Sequence, residues 1–96
     1  MYNVSSALYN EVAERLTERV GRNGYFSGSI EVETADAECR LVLSAVVYHR
    51  RDAMPEGESE VLSDMVPVWW EFRTVTEEGE VINDFSFGEL RKYFGR

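Results

Sequence analysis

The residues best suited to nucleophilic or acid–base chemistry are the single cysteine, Cys39, and the single histidine, His49. If both lie on one extended strand, their separation of ten residues corresponds to about 33 Å at the rise of a β-strand. A cysteine–histidine pair must come within hydrogen-bonding distance to activate the thiol, so these two residues cannot act together. We interpret Cys39 as a small core residue and His49 as a residue at the end of a strand.

Other catalytic signatures are missing from the sequence. It contains no serine nucleophile elbow, no phosphate-binding loop with its lysine and no paired zinc ligands. Residues 26–29 include small residues of the kind found in phosphate loops, but they lack the lysine and a preceding strand. We therefore expect that the protein is not an enzyme and that it carries no cofactor.

An acidic run near the middle of the chain is the one place where the sequence offers metal ligands. Calcium binds several carboxylate oxygens at once, and the weak candidate ligands are Glu56, Glu58 and Glu60. The run lacks the EF-hand spacing and the glycine that the EF-hand turn requires. A solvated loop explains the run more simply, so we expect no metal site.

A strand face that mixes aromatic, apolar and arginine residues favours a function in protein interaction. Tryptophan, tyrosine and arginine are enriched among the residues that dominate interfaces, and contiguous exposed apolar patches usually mark a partner. The alternative is that residues 51–60 or the N-terminal Met1 and Tyr2 cover this face and make it a second small core. The candidate interface residues are Val42, Val46, Tyr48, Trp69, Arg73 and Val75.

The chain of 96 residues has a formal net charge of -8, and half of that charge lies between positions 51 and 66. Direct binding to DNA, RNA or an anionic membrane requires a basic surface, so the excess of acid opposes it. No apolar run approaches the roughly 20 residues that span a bilayer. A lone cysteine and the absence of a secretory segment at the N-terminus favour a cytoplasmic protein.

Residue periodicity predicts a helix at each end of one domain, residues 1–96. Apolar residues at helical spacing over positions 4–20 predict an amphipathic helix that Ser5 or Ser6 caps. Near the C-terminus, Ser86 and Glu89 form the capping box of a short second helix.

Alternation of polar and apolar residues predicts four strands between the helices. The connection at residues 51–60 contains Pro55, Gly57 and most of the acidic run, so it is predicted to be a loop. The strands span residues 28–34, 39–50, 66–76 and 80–85. In the third strand, alternation predicts one core face with Val66, Val68, Trp70, Phe72 and Thr74, and an opposite face with Met65, Pro67, Trp69, Glu71, Arg73 and Val75.

Short connections between the strands favour an antiparallel meander. We therefore predict a two-layer α+β domain with the element order α-β-β-β-β-α and both helices on one face. That element order resembles the double-stranded RNA-binding domain. The basic helix start and lysine cluster of that family have no counterpart here, because residues 86–94 contain only Arg91 and Lys92 as basic residues. The resemblance therefore implies no RNA binding.

These patterns lead to two hypotheses about function. The first is a small, acidic, non-enzymatic protein-interaction module that self-associates as a homodimer through the open sheet face around Trp69 or through an edge strand. The alternative is an acidic mimic that inhibits a DNA- or RNA-binding protein by presenting carboxylates in place of phosphates. Salt distinguishes them, because binding by a mimic weakens steeply with ionic strength and binding by an apolar patch does not.

Overall fold

Two helices pack on one face of a four-stranded antiparallel sheet. The structure is a computed structural model that describes residues 1–55 and 57–95. The strands lie in the sheet in the order of the chain, which confirms the predicted α+β meander with the order α-β-β-β-β-α. The elements are α1 (Ser6–Val20), β1 (Tyr25–Glu33), β2 (Glu38–Met54), β3 (Gly57–Thr76), β4 (Gly79–Val81) and α2 (Phe87–Arg91).

Helix α1 begins at one of the two predicted caps. The Ser5 Oγ accepts a hydrogen bond from the Leu8 N–H at 3.1 Å, which satisfies one of the free amides of the first turn. Gly21 ends the helix with a φ of 57°, a conformation that costs glycine little. The buried residues of the helix form the predicted apolar stripe: Leu8, Tyr9, Val12, Ala13, Leu16 and Val20.

The sheet face beneath the two helices contains the core, and we call it the covered face. Leu16 of α1, Leu41 and Leu43 of β2 and Leu90 of α2 are 1% exposed or less. Burial of each leucine contributes roughly 1.5–3 kcal/mol, so apolar contact is the main force that holds the helices on the sheet. The sheet residues of the core are Phe26, Ile30, Val32, Cys39, Leu41, Leu43, Ala45, Val47, Leu62, Met65 and Phe72.

The segment between β4 and α2 differs in part from its prediction. The predicted strand over residues 80–85 is shorter, because Asn83 forms an isolated bridge with Tyr2 of the N-terminus and does not extend the ladder. The predicted cap of α2 is confirmed, since the Ser86 Oγ accepts a hydrogen bond from the Glu89 N–H at 3.3 Å.

Beyond the end of β1, the hairpin of β2 and β3 continues as a two-stranded ribbon, residues 48–54 and 57–64, which we call the arm. Pairing of β1 with β2 ends opposite Val46, whereas β2 and β3 stay paired as far as Met54 and Gly57. The predicted loop over residues 51–60 is therefore wrong.

Two exposed ion pairs offset part of the charge repulsion within the acid-rich arm. The Arg51 guanidinium lies 4.0 Å from the Glu60 carboxylate on the opposite strand. The Arg50 guanidinium lies 3.2 Å from the Asp52 carboxylate, two residues along its own strand. Opposite charges at cross-strand positions stabilise a ribbon that is exposed to water, so high charge density did not require a loop.

Two bulges in β3 change which of its side chains face the helices. The pairing register shifts opposite Ser44 and Ala45 and leaves Val68 as an extra residue, and a second shift leaves Ser63 as another. An extra residue reverses the alternation of all residues on one side of it relative to the other side. Pro67, which cannot donate a main-chain hydrogen bond, lies beside the first bulge, where proline is tolerated in a sheet.

The first bulge corrects the predicted faces of β3. Phe72 and Thr74, on the C-terminal side of the bulge, are buried on the covered face as predicted. On the other side, Met65 is fully buried, whereas Val66 is 38% and Val68 70% exposed. The predicted placement of Val66 and Val68 in the core, and of Met65 outside it, is therefore wrong.

Candidate interaction surface

The sheet face opposite the helices has an uncharged half, which the pairing register builds row by row. Side chains that project from this face come from odd-numbered residues of β1 and even-numbered residues of β2, because the covered face takes the alternate positions. Three successive rows cross β1, β2 and β3: Tyr25–Val46–Val66, Ser27–Ser44–Trp69 and Ser29–Val42–Glu71. Tyr48 lies two residues beyond Val46 on β2, on the arm side of the first row. We define the uncharged half as Tyr25, Ser27, Ser29, Val42, Ser44, Val46, Tyr48, Val66 and Trp69.

Trp69 is the largest side chain of the uncharged half, and it is 53% exposed. Tyr25 and Tyr48 are also about half exposed. Residues 51–55 and 57–60 extend away from this face as part of the arm. Tyr2 packs against the core and donates its main-chain N–H to the Ile82 carbonyl. Neither of the two predicted covers therefore buries the indole of Trp69.

The other half of this open face is the acidic end. Its arginines are paired: Arg73 lies 2.9 Å from Glu71 and 3.7 Å from Glu80, and Arg40 lies 3.8 Å from Glu31. Five acidic residues and two arginines give this end a net negative charge. The acidic end comprises Glu31, Glu33, Glu38, Arg40, Glu71, Arg73 and Glu80.

The structure brings together four of the six candidate interface residues and separates two. Val42, Val46, Tyr48 and Trp69 all lie in the uncharged half. Arg73 and Val75 share the same face, but Arg73 lies in the acidic end and Val75 lies next to it. In the sheet, Arg73 is the cross-strand neighbour of Arg40, and Val75 is the cross-strand neighbour of Glu38 and Glu80.

Five members of the uncharged half were not among the candidate interface residues: Tyr25, Ser27, Ser29, Ser44 and Val66. The first strand was predicted to start at position 28, although Tyr25, Ser27 and Ser29 continue its alternation toward the N-terminus. That continued alternation is the signal that could have found Tyr25. Val66 was missed because the bulge at Val68 reverses its face, and alternation alone does not reveal a bulge.

Two arginines of α1 reach the free edge of β1. The Arg15 guanidinium donates a hydrogen bond to the Glu31 carbonyl at 2.8 Å, and the Arg19 guanidinium donates one to the Ser29 carbonyl at 3.2 Å. Unpaired main-chain groups of an outermost strand would otherwise offer a template for another strand. These two contacts occupy part of the free edge of β1.

The residues considered for catalysis have structural partners. The His49 Nε2 lies 3.0 Å from the Gly21 carbonyl oxygen, at the end of α1. Cys39 is buried near the opposite end of the sheet, and burial raises the pKa of its thiol, which disfavours the reactive thiolate. The structure therefore keeps these two side chains apart.

The weak metal candidates belong to the arm. Glu56 and the side chain of Glu58 lie outside the described residues. Glu60 faces Arg51. Among the described residues, no three histidine, cysteine or acidic side chains are grouped as metal ligands.

A groove of about 880 Å³ lies at the end of the sheet that carries the N-terminus. The turns that connect β1 to β2 and β3 to β4 form two of its walls. It combines carboxylates with apolar side chains, and its lining includes Met1, Glu33, Asp36, Glu38, Glu77 and Glu78. This groove continues the negative charge of the acidic end.

Comparisons of the chain with protein-family models, with curated proteins and with solved structures found no match. In the part of the chain that the structure describes, no helix is long and apolar enough to cross a membrane.

Proposed function

We propose that the protein is a cytoplasmic, non-enzymatic interaction module that self-associates through the uncharged half of its open sheet face. The observation that carries this proposal is the half-exposed indole of Trp69, which lies among two half-exposed tyrosines and valines on the face that no helix covers. Exposed apolar surface of this kind gains free energy when a partner removes it from water.

A second copy of the chain fits this surface in both charge and shape. The net charge of -8 opposes contact between most surfaces of two copies, whereas the nine side chains of the uncharged half are neutral, with Asp64 and Glu71 at its margin on β3. It also combines large projecting side chains, Trp69 and Tyr25, with small ones, Ser27 and Ser44. A surface with both sizes can be complementary to itself, as a symmetric dimer requires.

The size of the uncharged half limits how strong the dimer can be. Three strands about 4.8 Å apart and four rows about 6.8 Å apart cover roughly 14 by 27 Å. A standard interface uses about 800 Å² of accessible surface from each partner, and this footprint of about 380 Å² is less than half of that, so a dimer through this half alone should be weak. We expect a dissociation constant in the micromolar range, which corresponds to about 8 kcal/mol.

Sedimentation equilibrium of wild-type protein and of Trp69→Asp tests self-association. The wild type should change from monomer to dimer between about 1 µM and about 1 mM, and Trp69→Asp should remain monomeric because it places a charge at the centre of the contact. Ile82→Asp is the matched control, since Ile82 is 78% exposed and is not part of the uncharged half. A wild type that stays monomeric over this range, or a Trp69→Asp protein that is folded and still dimeric, contradicts the proposal.

The two neighbouring tryptophans provide an independent spectroscopic test. In Trp70→Phe the remaining indole is Trp69, so its emission should shift to shorter wavelength as the protein concentration rises and the indole leaves water. In Trp69→Phe the remaining indole is Trp70, which already contacts the rings of Phe85 and Phe87 with centroids 5.4 and 6.1 Å away. Its emission should not depend on concentration.

The acidic end and its groove favour a second candidate function, the acidic mimic. Glu33, Glu38, Glu77 and Glu78 place several carboxylates around one concave surface, and a basic nucleic-acid-binding surface is the partner that such charge attracts. Capture of basic proteins that weakens steeply with salt would support the mimic. Dimerisation through the uncharged half should instead strengthen slightly with salt, because salt screens the repulsion between two acidic chains.

A further inference from the structure

We propose that the outer edge of β3 around Trp70 is a latent strand-pairing site for a second copy of the chain, and that Pro67 and Asn83 keep it closed. This inference goes beyond the proposed function, because it concerns the edge of the sheet and not its open face. Three observations carry it: the short pairing of β4, the composition of the segment that β4 leaves unpaired, and the hydrogen bonds made by the main chain of that segment.

The fourth strand covers only the end of β3. It pairs with residues 74–76. In the part of the chain that the structure describes, residues 57–73 therefore have no strand beside them on the side away from β2. Main-chain N–H and C=O groups at such an edge are a template on which another strand can form.

The middle of this edge has the composition of a segment that pairs with copies of itself. Residues 66–72 read VPVWWEF, with Glu71 as the single charged residue. Val68 and Trp70 also leave apolar surface exposed. Short segments with high β-propensity and low charge pair with identical segments when they contain no proline. A second copy of the chain is therefore the partner that this edge fits, and Pro67 is the residue that departs from the pattern.

Hydrogen bonds indicate which main-chain groups of β3 point outward. The Phe72 carbonyl accepts the side chain of Asn83, so it points away from β2. Main-chain groups of successive residues alternate between the two sides of a strand, so those of Trp70 also point outward. Beyond the first bulge, the Met65 N–H points outward as well, since it donates to the Asp64 carboxylate at 2.8 Å.

Three of the four outward positions are closed at one of their two groups. The four positions are Met65, Pro67, Trp70 and Phe72. The Met65 N–H is taken by Asp64, and Pro67 has no N–H to donate. The Phe72 carbonyl accepts a hydrogen bond from the Asn83 Nδ2 at 2.9 Å. An added strand must bond to successive outward residues, so the fourth position, Trp70, cannot hold one alone.

Pro67→Val/Asn83→Ala should open this edge, because valine supplies a donor and alanine frees the Phe72 carbonyl. Both changes are made together with Tyr25→Asp, which places a charge in the uncharged half, two strands away from β3. Sedimentation equilibrium should show a larger mass for this triple variant than for Tyr25→Asp alone between about 0.1 and about 1 mM.

A matched control makes the same two changes elsewhere. Asn10→Ala/Pro55→Val, again with Tyr25→Asp, alters the exposed side of α1 and the tip of the arm. Its mass should equal that of Tyr25→Asp alone, since neither residue touches the edge of β3.

Hydrogen exchange of the main-chain amides locates the contact. In the dilute wild type, the Trp70 N–H should exchange at least about tenfold faster than those of Trp69 and Glu71, which point toward β2. In the associated triple variant, exchange of the Trp70 N–H should slow to the rate of its two neighbours, because the partner strand accepts it.

The proposal is overturned by a folded triple variant that is no larger than Tyr25→Asp alone at about 1 mM. Association that leaves the Trp70 N–H unprotected also overturns it, because the copies then meet elsewhere. If the triple variant does not fold, Pro67→Val and Asn83→Ala are measured singly against the same criteria. Each comparison is made with Tyr25→Asp as the reference, so its result does not depend on whether the wild type dimerises through the open face.

Discussion

The two faces of the sheet are made by the same strands from similar residues, yet one is a core and the other is a surface. On β2, Leu41, Leu43, Ala45 and Val47 are buried, and Val42 and Val46 between them are half-buried. The difference is the covering layer, because α1 and α2 pack on one face only. The position of the helices therefore decides which face of the sheet is buried within the chain. The hydropathy of a strand face alone does not decide it.

The largest expected effect that tests this comparison comes from truncating one side chain on each face of β2. Leu43→Ala should lower the free energy of unfolding by about 2–5 kcal/mol, because it leaves a cavity beneath the helices. Val42→Ala, one residue away on the open face, should cost less than about 1 kcal/mol. Urea denaturation of both variants, at protein concentrations well below the dissociation constant of the dimer, measures the two free energies of unfolding. Similar losses for both would mean that the open face is covered after all.

The next effect tests how the covering layer is attached. Ser86→Ala removes the side chain that accepts the Glu89 N–H at the start of α2, and loss of such a cap costs about 1 kcal/mol. Ser29→Ala on the open face is the matched serine control and should be nearly neutral. Thermal unfolding of both variants checks the difference, and an equal shift in Tm would show that the cap does not hold α2 in place.

A smaller effect comes from the ion pair that links β3 to α2. The Arg91 guanidinium donates two hydrogen bonds to the Asp64 carboxylate, at 3.0 and 2.7 Å, and holds the pKa of Asp64 below its ordinary value. Because the folded pKa is lower than the unfolded one, this stabilisation is present above about pH 4 and is lost as the pH falls through the folded pKa. The pair is well exposed, so it should contribute no more than about 1 kcal/mol.

Asp64→Asn isolates this pair. The difference in unfolding free energy between the wild type and Asp64→Asn should be measurable at pH 7 and should shrink from about pH 4 downward, as the pH falls through the lowered pKa of Asp64. Arg91→Leu should reproduce the loss at pH 7. A difference that does not change with pH would assign the effect to packing and not to the charge of Asp64.

The smallest effect on monomer stability should come from the centre of the open face. Trp69→Ser should change the unfolding free energy of the dilute protein by less than about 0.5 kcal/mol, as for a surface substitution. At high concentration the wild type should gain stability through dimerisation, and Trp69→Ser should not. A Tm of the wild type that does not rise with concentration would contradict self-association through this face.

Local signals predicted much of the fold. The apolar stripe of α1, the caps at Ser5 and Ser86 and the alternation in β2 depend only on near neighbours in sequence, and each was found at or near its predicted position. The arm was missed because Pro55 and Gly57 signal a turn correctly, while the charge pairing that keeps their neighbours in strands acts between residues distant in sequence.

The candidate site was predicted in part for the same reason. Trp69 and Tyr48 were placed on the open face correctly. No bulge interrupts the alternation between Trp69 and Val75 on β3, or between Cys39 and Tyr48 on β2. Val66 was not placed on the open face, because whether alternation continues past Pro67 depends on how β2 pairs with β3. Helices and the residues of one regular strand can be predicted from local sequence, whereas the boundary of a surface made by three strands depends on their pairing.

Val68 has a consequence for how the chain could change its length. In a regular strand, removal of one residue turns every side chain beyond it to the wrong side of the sheet. Val68 has no partner across the ladder, so its removal would leave every other residue of β3 opposite its present neighbour. We therefore expect that this strand tolerates a single-codon deletion at Val68, which would straighten the sheet locally, and does not tolerate one at Phe72.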